Sequence, residues 1–211
     1  VDLDRYLDLP DPAQARKALG LPEEFTAVYS GAFYSGRGLE IMEPLAQAFP
    51  QVQFLWIGGN AEQVNTWSAR LAENGIRNVT LTGHITNNRI PLYQAAADVL
   101  LLPYSLKFAG SGGGNIARVS SPLKLFEYLA SGRAILTSDL PVLREVLNEE
   151  VAVFYPPEDF SALCMCFAGL LADGSIRKRM GEAARKAAQA YDWRVRMNGI
   201  IKAAAALLNK Q

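Results

Sequence analysis

Residues 121–146, SPLKLFEYLASGRAILTSDLPVLREV, place a helix, a strand and a second helix in immediate succession. The first helix is predicted over Pro122–Ser131, because a proline stands in its first turn and Gly132 follows its last residue. The strand Ala134–Thr137 is almost wholly apolar, without alternation, which is typical of a strand buried on both faces of a parallel sheet. Another proline then opens the second helix, Pro141–Leu147.

The same alternation of strand and helix continues on both sides of this stretch. Further strands are predicted over Ala27–Ser30, Val52–Ile57, Val79–Thr82, Val99–Leu102 and Val151–Phe154. Helices between them are predicted over Leu39–Phe49, Ala61–Asn74 and Ile90–Ala97. Such alternation builds a parallel sheet with right-handed crossovers. We expect an α/β fold: a Rossmann-like, doubly wound parallel sheet of about six strands, with helices on both faces and a C-terminal helical segment.

The two ends of the chain differ from this central pattern. Residues 1–25 are predicted to form a linker with one short helix, and residues 26–190 the Rossmann-like domain. After Phe154 the strands stop, and Asp192 is predicted to cap the final helix. The three consecutive helices of this segment are predicted over Asp159–Ala172, Ser175–Ala190 and Trp193–Leu208.

The composition excludes several classes of protein. Lysine plus arginine equals aspartate plus glutamate, at 21 each, so no nucleic-acid partner is expected. His84 is the only histidine, which excludes zinc sites that need two, and no metal is expected. No apolar run reaches the length of a membrane span. Cys164 and Cys166 are predicted to be buried free thiols, which fits a reducing cytoplasm.

Ligands of an open parallel sheet bind outside the carboxyl ends of its strands. Three of these ends carry a glycine, which on its own indicates no more than a tight turn. The end of Val99–Leu102 is more informative. From residue 99 to residue 126 there is no acidic residue, whereas Lys107, Arg118 and Lys124 supply three cations. This composition is typical of an anion receptor.

Lys124 is out of place by the ordinary rules of helix structure. With Ser121 as the N-cap, it falls in the first turn, where the positive end of the helix dipole disfavours a cation. A bound phosphate would remove the conflict, because helix amides and a lysine together bind anions well. Two interpretations stay open: a phosphate site at the start of this helix, or a lysine that extends into solvent.

Two further residues have similar alternatives. Glu127, one turn below Lys124 in a nearly apolar helix, is placed to accept ribose hydroxyls or to form an ion pair with Lys124. Arg37, in the first loop, could reach the same anion or face water. The run Gly110–Asn115 (GSGGGN) lacks the third glycine of a dinucleotide fingerprint and predicts instead a mobile loop that closes over a ligand.

The quoted helix–strand–helix block, with Gly31 and Arg37-Gly38, resembles the carboxyl-terminal domain of family 4 of the retaining glycosyltransferases, which have the two-domain GT-B architecture. The resemblance covers nearly the whole chain, and residues 191–211 look like the helix that crosses back to the other domain. It implies that this domain binds a nucleoside-diphosphate sugar. It implies further that the parent enzyme transfers a hexose to an acceptor with retention, without a cofactor.

The resemblance also assigns roles to individual residues. Catalytic roles at the leaving diphosphate are implied for Lys124 and Arg37. Donor-binding roles are implied for Gly31, Gly83, His84, Ser120, Ser121, Leu123 and Glu127. In this set, Glu127 takes the ribose hydroxyls, while Gly83 and His84 lie near the base.

Two departures from the family pattern keep alternatives open. Val119 stands where the family often has a glutamate that touches the sugar, and Ala32 where an arginine is common. The alternatives are a non-catalytic module that binds a nucleotide sugar or a partner protein, and a GT-B nucleotide-sugar 2-epimerase. The acceptor domain is expected in a missing amino-terminal half, so this domain alone is expected to be inactive. Membrane association is expected only through that half, in a cytoplasmic enzyme.

Overall fold

The computed structural model describes residues 1–107 and 123–208. Within them lies one parallel sheet with the spatial order β3-β2-β1-β4-β5-β6. Its strands are β1 (Thr26–Ser30), β2 (Gln53–Ile57), β3 (Val79–Gly83), β4 (Val99–Leu102), β5 (Ala134–Ser138) and β6 (Ala152–Tyr155). This is the strand order of doubly wound, dinucleotide-binding folds. The predicted fold class is confirmed.

Helices connect the strands and cover both faces of the sheet. Those before β4 are α1 (Pro12–Leu19), α2 (Leu39–Ala48), α3 (Ala61–Glu73) and α4 (Ile90–Ala95). Those after β4 are α5 (Leu123–Ser131), α6 (Pro141–Arg144), α7 (Phe160–Ala172), α8 (Gly174–Ala188) and α9 (Trp193–Leu208). Short 3-10 turns occupy Leu3–Tyr6 and Gln189–Tyr191.

The core has two halves because successive strand residues point to opposite faces. In β1, Val28 packs with α5 and α8 on one face, and its neighbour Tyr29 packs with α2 and α7 on the other. Every residue of β1, β4 and β5 is buried. Central strands buried on both faces explain why their sequences are continuous apolar runs.

The strand order creates a crevice between β1 and β4. The chain moves outward from β1 to β2 and β3, then returns to the other side of β1 to begin β4. Connections on the two sides therefore diverge, and a gap opens above the carboxyl ends of β1 and β4, where doubly wound folds bind ligands. Ser30 and Leu102 end the two strands at this gap.

Some boundaries and burial differ from expectation. Helix α6 ends at Arg144, three residues before the predicted Leu147, and the chain continues as a turn. Cys164 and Cys166 are free, as predicted, but half-buried rather than buried. The Asp192 cap is confirmed, since its carboxylate accepts the Arg194 N–H at 2.6 Å.

A helix that spans a membrane must be both long enough and apolar enough. No single helix among the described residues meets both criteria. Phe160–Ala172 and Gly174–Lys202 meet them only when taken together, as a pair bent by 97°.

Candidate functional site

A cleft of about 510 Å³ opens at the carboxyl edge of the sheet, beside the crevice between β1 and β4. Its walls come from the loops after β1, β2 and β3 and from one side of α5. Four of the residues proposed from the sequence line it together, namely Gly31, His84, Lys124 and Glu127. Two different loops and one helix supply these four residues, which are separated by up to 96 positions in the sequence.

Glycines make the floor of the cleft because neighbouring strand ends approach too closely for side chains. The Gly31 N–H donates to the Ile57 carbonyl at 2.8 Å, and the Gly58 N–H donates to the Gly83 carbonyl at 2.9 Å. A Cβ atom on Gly58 would lie 2.0 Å from the Gly31 carbonyl oxygen. Gly83 itself supports the floor from behind and does not line the cleft.

Lys124 places its ammonium group at the inner end of the cleft. Its Nζ lies 4.0 Å from the centre of the Tyr29 ring and 4.8 Å from the centre of the Tyr104 ring. A Cβ atom on Gly31 would lie 2.4 Å from Nζ, so only glycine leaves room for the group. The Nζ atom is buried and has no hydrogen-bond partner among the described residues.

The buried position of Lys124 shifts the pKa of its ammonium group. Burial, followed by the nearby Arg37 guanidinium, holds the pKa of Lys124 well below its usual range, whereas the Glu127 carboxylate acts in the opposite direction. The ion pair with Glu127 that the sequence left open is not formed, and residues 1–107 and 123–208 supply no other carboxylate within 4.0 Å of Nζ. An unpaired buried ammonium is costly, and an anion bound in the cleft would offset that cost.

Arg37 lies behind Lys124 rather than on the cleft wall. Its Nη1 donates to the Tyr104 hydroxyl at 3.1 Å, and its guanidinium carbon lies 5.1 Å from the centre of that ring. Gly38 lets the loop after β1, which carries Arg37, approach the end of β4 closely. A Cβ atom on Gly38 would lie 2.2 Å from the Pro103 carbonyl oxygen. Burial raises the pKa of Tyr104 to about 12, although Arg37 lowers it. Arg37 is therefore half-buried beside the other cation and does not merely face water.

Glu127 is held by a residue that sequence reasoning missed. Its Oε2 accepts a hydrogen bond of 3.5 Å from Nε2 of Gln94, a fully buried residue of α4. The same Nε2 donates to the Ser30 hydroxyl at 3.3 Å. The Tyr128 hydroxyl accepts the Ser30 N–H at 2.9 Å and donates to the Leu101 carbonyl at 3.2 Å. These bonds tie α4 and α5 to the ends of β1 and β4.

The remaining predicted residues have varied positions. His84 is exposed at the mouth of the cleft. The Leu123 side chain is 69% exposed and lines a neighbouring groove with Phe126 and Trp193 instead of the cleft. Ser120 and Ser121 lie outside the described residues, and so do Val119 and Gly110–Asn115. Their predicted roles stay predictions.

Sequence reasoning also missed the two aromatic rings around Lys124. Tyr29 lies within a buried strand, where an aromatic residue contributes to the core as a matter of course. Tyr104 offered a weak signal, because it lies two residues after the end of β4 and so had to lie at the ligand-binding edge. Among the residues described, no three His, Cys, Asp or Glu side chains form a group that could hold a metal ion.

Comparisons with known proteins identify relatives of this chain. The family model described as glycosyl transferases group 1 matches residues 26–173. Phosphatidyl-myo-inositol mannosyltransferase from Mycobacterium tuberculosis is 27% identical over 214 residues, which cover 96% of this chain and 53% of that protein. The chain thus spans about half the length of the curated relatives it matches.

Solved structures show the same fold over the whole chain. Sucrose-phosphate synthase from Thermosynechococcus elongatus is similar with a TM-score of 0.81 and 25% identity, over all of this chain and 52% of that one. Anabaena HepE, solved in complex with UDP-glucose, is similar with a TM-score of 0.76 and 19% identity, over all of this chain and 56% of that one. At 19% identity the likeness to HepE shows the fold alone.

Proposed function

Because the chain belongs to the glycosyl transferases group 1 family, we propose that its cleft binds the diphosphate and ribose of a nucleoside-diphosphate sugar. The parent protein would transfer the hexose to an acceptor with retention at the anomeric carbon. The single observation that carries the proposal is the buried ammonium of Lys124, which lies at the carboxyl edge of the sheet without an anionic partner among the described residues.

Lys124 and Arg37 stabilise the leaving group in this proposal. When the bond from the anomeric carbon to the diphosphate breaks, its electron pair stays on the diphosphate oxygen. Positive charge that is already fixed beside that oxygen stabilises the developing negative charge, which is electrostatic catalysis. Lys124 would contact the diphosphate, and Arg37, behind it, would add to the local positive potential. No metal ion or cofactor is part of the proposal.

The other residues recognise the nucleoside. Glu127 would accept hydrogen bonds from ribose hydroxyls, because its carboxylate faces the cleft one helical turn from Lys124. Gly83 and His84 would lie near the base, and Gly31 would let the diphosphate approach the end of β1. Ser120 and Ser121, which precede α5 in the sequence, would contribute to donor binding, whereas the Leu123 side chain lines the neighbouring groove. The acceptor would bind in a further domain, in line with the half-length match to the mannosyltransferase.

Titration of variants with UDP, GDP and inorganic pyrophosphate tests the assignment. Lys124→Met should weaken all three by about 1–3 kcal/mol, the range for hydrogen bonds to charged groups. Glu127→Ala should weaken UDP or GDP but leave pyrophosphate unchanged, because pyrophosphate has no ribose. Lys178→Met, which removes an exposed lysine from the opposite end of the molecule, is the matched control. Equal affinities in the wild type and both cleft variants would show that the site is misplaced.

A non-catalytic nucleotide-sugar module is a second candidate, favoured by Ala32. This residue lines the cleft where the resembled family commonly has an arginine, so one cation of the usual set is missing. Turnover separates the two candidates. The longer parent protein should transfer sugar from the donor whose diphosphate binds this chain, whereas this chain by itself should not. Multiple turnovers by the 211-residue chain alone would contradict the proposed division of roles.

A further inference from the structure

Gln94 is a fully buried polar side chain whose amide lies between the end of β1 and the wall of the cleft. Its Nε2 atom lies 3.5 Å from the Glu127 carboxylate and 3.3 Å from the Ser30 hydroxyl, while its Oε1 atom is buried without a hydrogen-bond partner in the described part of the chain. A buried amide that satisfies only its donors costs more than an apolar residue of similar size would at the same place. That pattern calls for an explanation beyond packing.

The orientation of the amide follows from its neighbours. If the group were reversed, Oε1 would face the Glu127 carboxylate, and two acceptors would meet without a proton between them. The NH₂ group must therefore face Glu127. Within the described residues, Gln94 is the only hydrogen-bond partner of the Glu127 side chain. Glu127 is half-buried on α5, so its carboxylate has freedom to turn unless this amide restrains it.

The other contact of Gln94 fixes the amide itself. Ser30, which accepts from Nε2, is tied through its N–H to the Tyr128 hydroxyl, and Tyr128 is tied to Leu101 at the end of β4. The amide is thus anchored to the two strands that form the crevice. The anchored amide in turn restrains the Glu127 carboxylate, which lies on a different helix, α5.

We propose that Gln94 is a positioning residue, which orients the Glu127 carboxylate toward the ribose hydroxyls of the bound nucleoside diphosphate. The proposal rests on the proposed function, in which Glu127 binds the ribose. The 3.5 Å separation is long for a hydrogen bond, and contacts of this kind shorten when a ligand fills a site. Gln94 makes no contact with the ligand and acts only through Glu127.

A double-mutant cycle tests this inference. Gln94→Leu keeps the volume and removes both donors, and it should weaken UDP or GDP about fivefold to tenfold, a hydrogen-bond-sized effect. Pyrophosphate affinity should stay unchanged, which also reports that the variant is folded. In the Glu127→Ala background, Gln94→Leu should have no further effect, because the residue that it orients is gone. Ser131→Ala, a buried polar change at the far end of α5, is the matched control.

The Gln94→Glu variant distinguishes a positioning role from a purely structural one. Only a positioning role makes UDP affinity depend on pH in this variant. At neutral pH the introduced carboxylate should repel Glu127 and weaken UDP more than Gln94→Leu does. As the pH falls, the pair should share a proton, and the neutral member should donate to its neighbour as the amide does. UDP affinity should then recover relative to Gln94→Leu, and the recovery should be absent for pyrophosphate.

The outcomes separate the inference from the proposal beneath it. If Glu127→Ala weakens UDP but Gln94→Leu does not, or if Gln94→Leu acts equally with Glu127 absent, the positioning role is wrong and the proposed function stands. If Glu127→Ala leaves UDP and GDP binding unchanged, the positioning role falls together with the ribose role of Glu127, whereas the diphosphate site is tested separately by Lys124→Met.

Discussion

The two edges of the sheet hold buried or half-buried cations in opposite ways. At the amino edge, Arg16 pairs with Asp98 at 2.8 Å, and Arg133 donates to the Ala95 carbonyl at the end of α4 at 2.9 Å. At the carboxyl edge, Lys124 has neither a carboxylate nor a carbonyl partner within the described residues. The folded chain supplies partners for the two arginines at the amino edge, whereas its described residues supply none for Lys124 at the carboxyl edge.

Helix direction explains the difference. In a strand–helix unit the helix runs back against the strand, so helices end at the amino edge and begin at the carboxyl edge. Helix ends present free carbonyl groups, which accept from arginines, and helix starts present free N–H groups, which cannot. A cation in the first turn of α5 can therefore be satisfied only by an anion from elsewhere. The partners of a buried cation, more than its burial, therefore distinguish a structural charge from a ligand-binding one.

The largest effect is expected where the fold itself supplies the partner. Asp98→Ala should lower the free energy of unfolding by about 3–5 kcal/mol, since it leaves the buried Arg16 guanidinium without its counter-ion. It also removes the acceptor of the Thr26 N–H at the start of β1. Urea denaturation measures the loss. The control is Asp139→Ala, which breaks a largely exposed ion pair with Arg144 and should cost far less.

Asp98→Ala should leave the affinity of the folded protein for UDP or GDP unchanged, because Asp98 lies at the amino edge and does not line the cleft. A loss smaller than that of Asp139→Ala would show that the amino edge does not depend on its charge pairs. The contrast between the edges would then be lost.

The next effect concerns binding at the carboxyl edge. Gly31→Ala should weaken UDP and pyrophosphate alike, by about 1–2 kcal/mol, because the new methyl group displaces the ammonium that would contact the diphosphate. The nearest atom to that methyl group is the end of the flexible Lys124 side chain, which can move aside, but the φ of 157° at Gly31 strains a residue with a Cβ, so stability should fall as well. Calorimetric titration checks the affinities.

A combined variant controls the interpretation of Gly31→Ala. Once Lys124 has been replaced by methionine, the alanine should have little further effect on pyrophosphate, since the displaced charge is already absent. An undiminished loss in that background would mean that Gly31 matters through the backbone and not through Lys124.

A smaller effect of opposite sign is expected for the unliganded fold. Lys124→Met should raise the free energy of unfolding by about 0.5–1 kcal/mol, because it removes a cation from the positive end of a helix and an unpaired charge from a buried site. Thermal unfolding without and with UDP checks this. Without UDP the variant should be more stable than the wild type, and added UDP should stabilise the variant less than it stabilises the wild type. If Lys124→Met had a lower free energy of unfolding than the wild type without ligand, the charge of Lys124 would not be unneutralised in the folded protein.

The fold was predictable because its signals are local. Strand β4 matches the predicted Val99–Leu102 at both ends, since a continuous apolar run between polar segments marks a strand buried on both faces. The end of α6 was not predictable in this way. Its predicted last residue, Leu147, is buried and still donates to the Leu143 carbonyl, so the apolar pattern continues after the regular helix has ended at Arg144.

The site was predictable only in part, because only some of its residues give a local signal in the sequence. Lys124 could be found because it conflicts with its own helix, which is a local property. Tyr29, Tyr104 and Gln94 could not, because each acts through neighbours that the fold brings from other elements. A tyrosine in an apolar strand and a glutamine in a short helix give no sequence signal of a cation between rings or of an oriented carboxylate.

The smallest expected effect is a pH dependence that belongs to Lys124 alone. Its pKa in the folded protein is held well below the ordinary value of 10.5, so between those two values the unfolded chain binds more protons than the folded one. Stability contributed by this residue should therefore rise with pH across that window and be flat on either side. The measurement is the difference in unfolding free energy between wild type and Lys124→Met, followed from neutral pH upward.

The difference curve isolates Lys124 from the other groups that titrate in alkali, since these are common to both proteins. Lys178→Met controls for the loss of an exposed lysine. The wild type should approach the variant in stability as pH rises, because a neutral amine no longer needs a partner. Saturating pyrophosphate should flatten the curve, since a bound anion keeps the ammonium charged in the folded state. A difference that is independent of pH without ligand would place a neutralising group beside Lys124, and the two edges would then hold their cations in the same way.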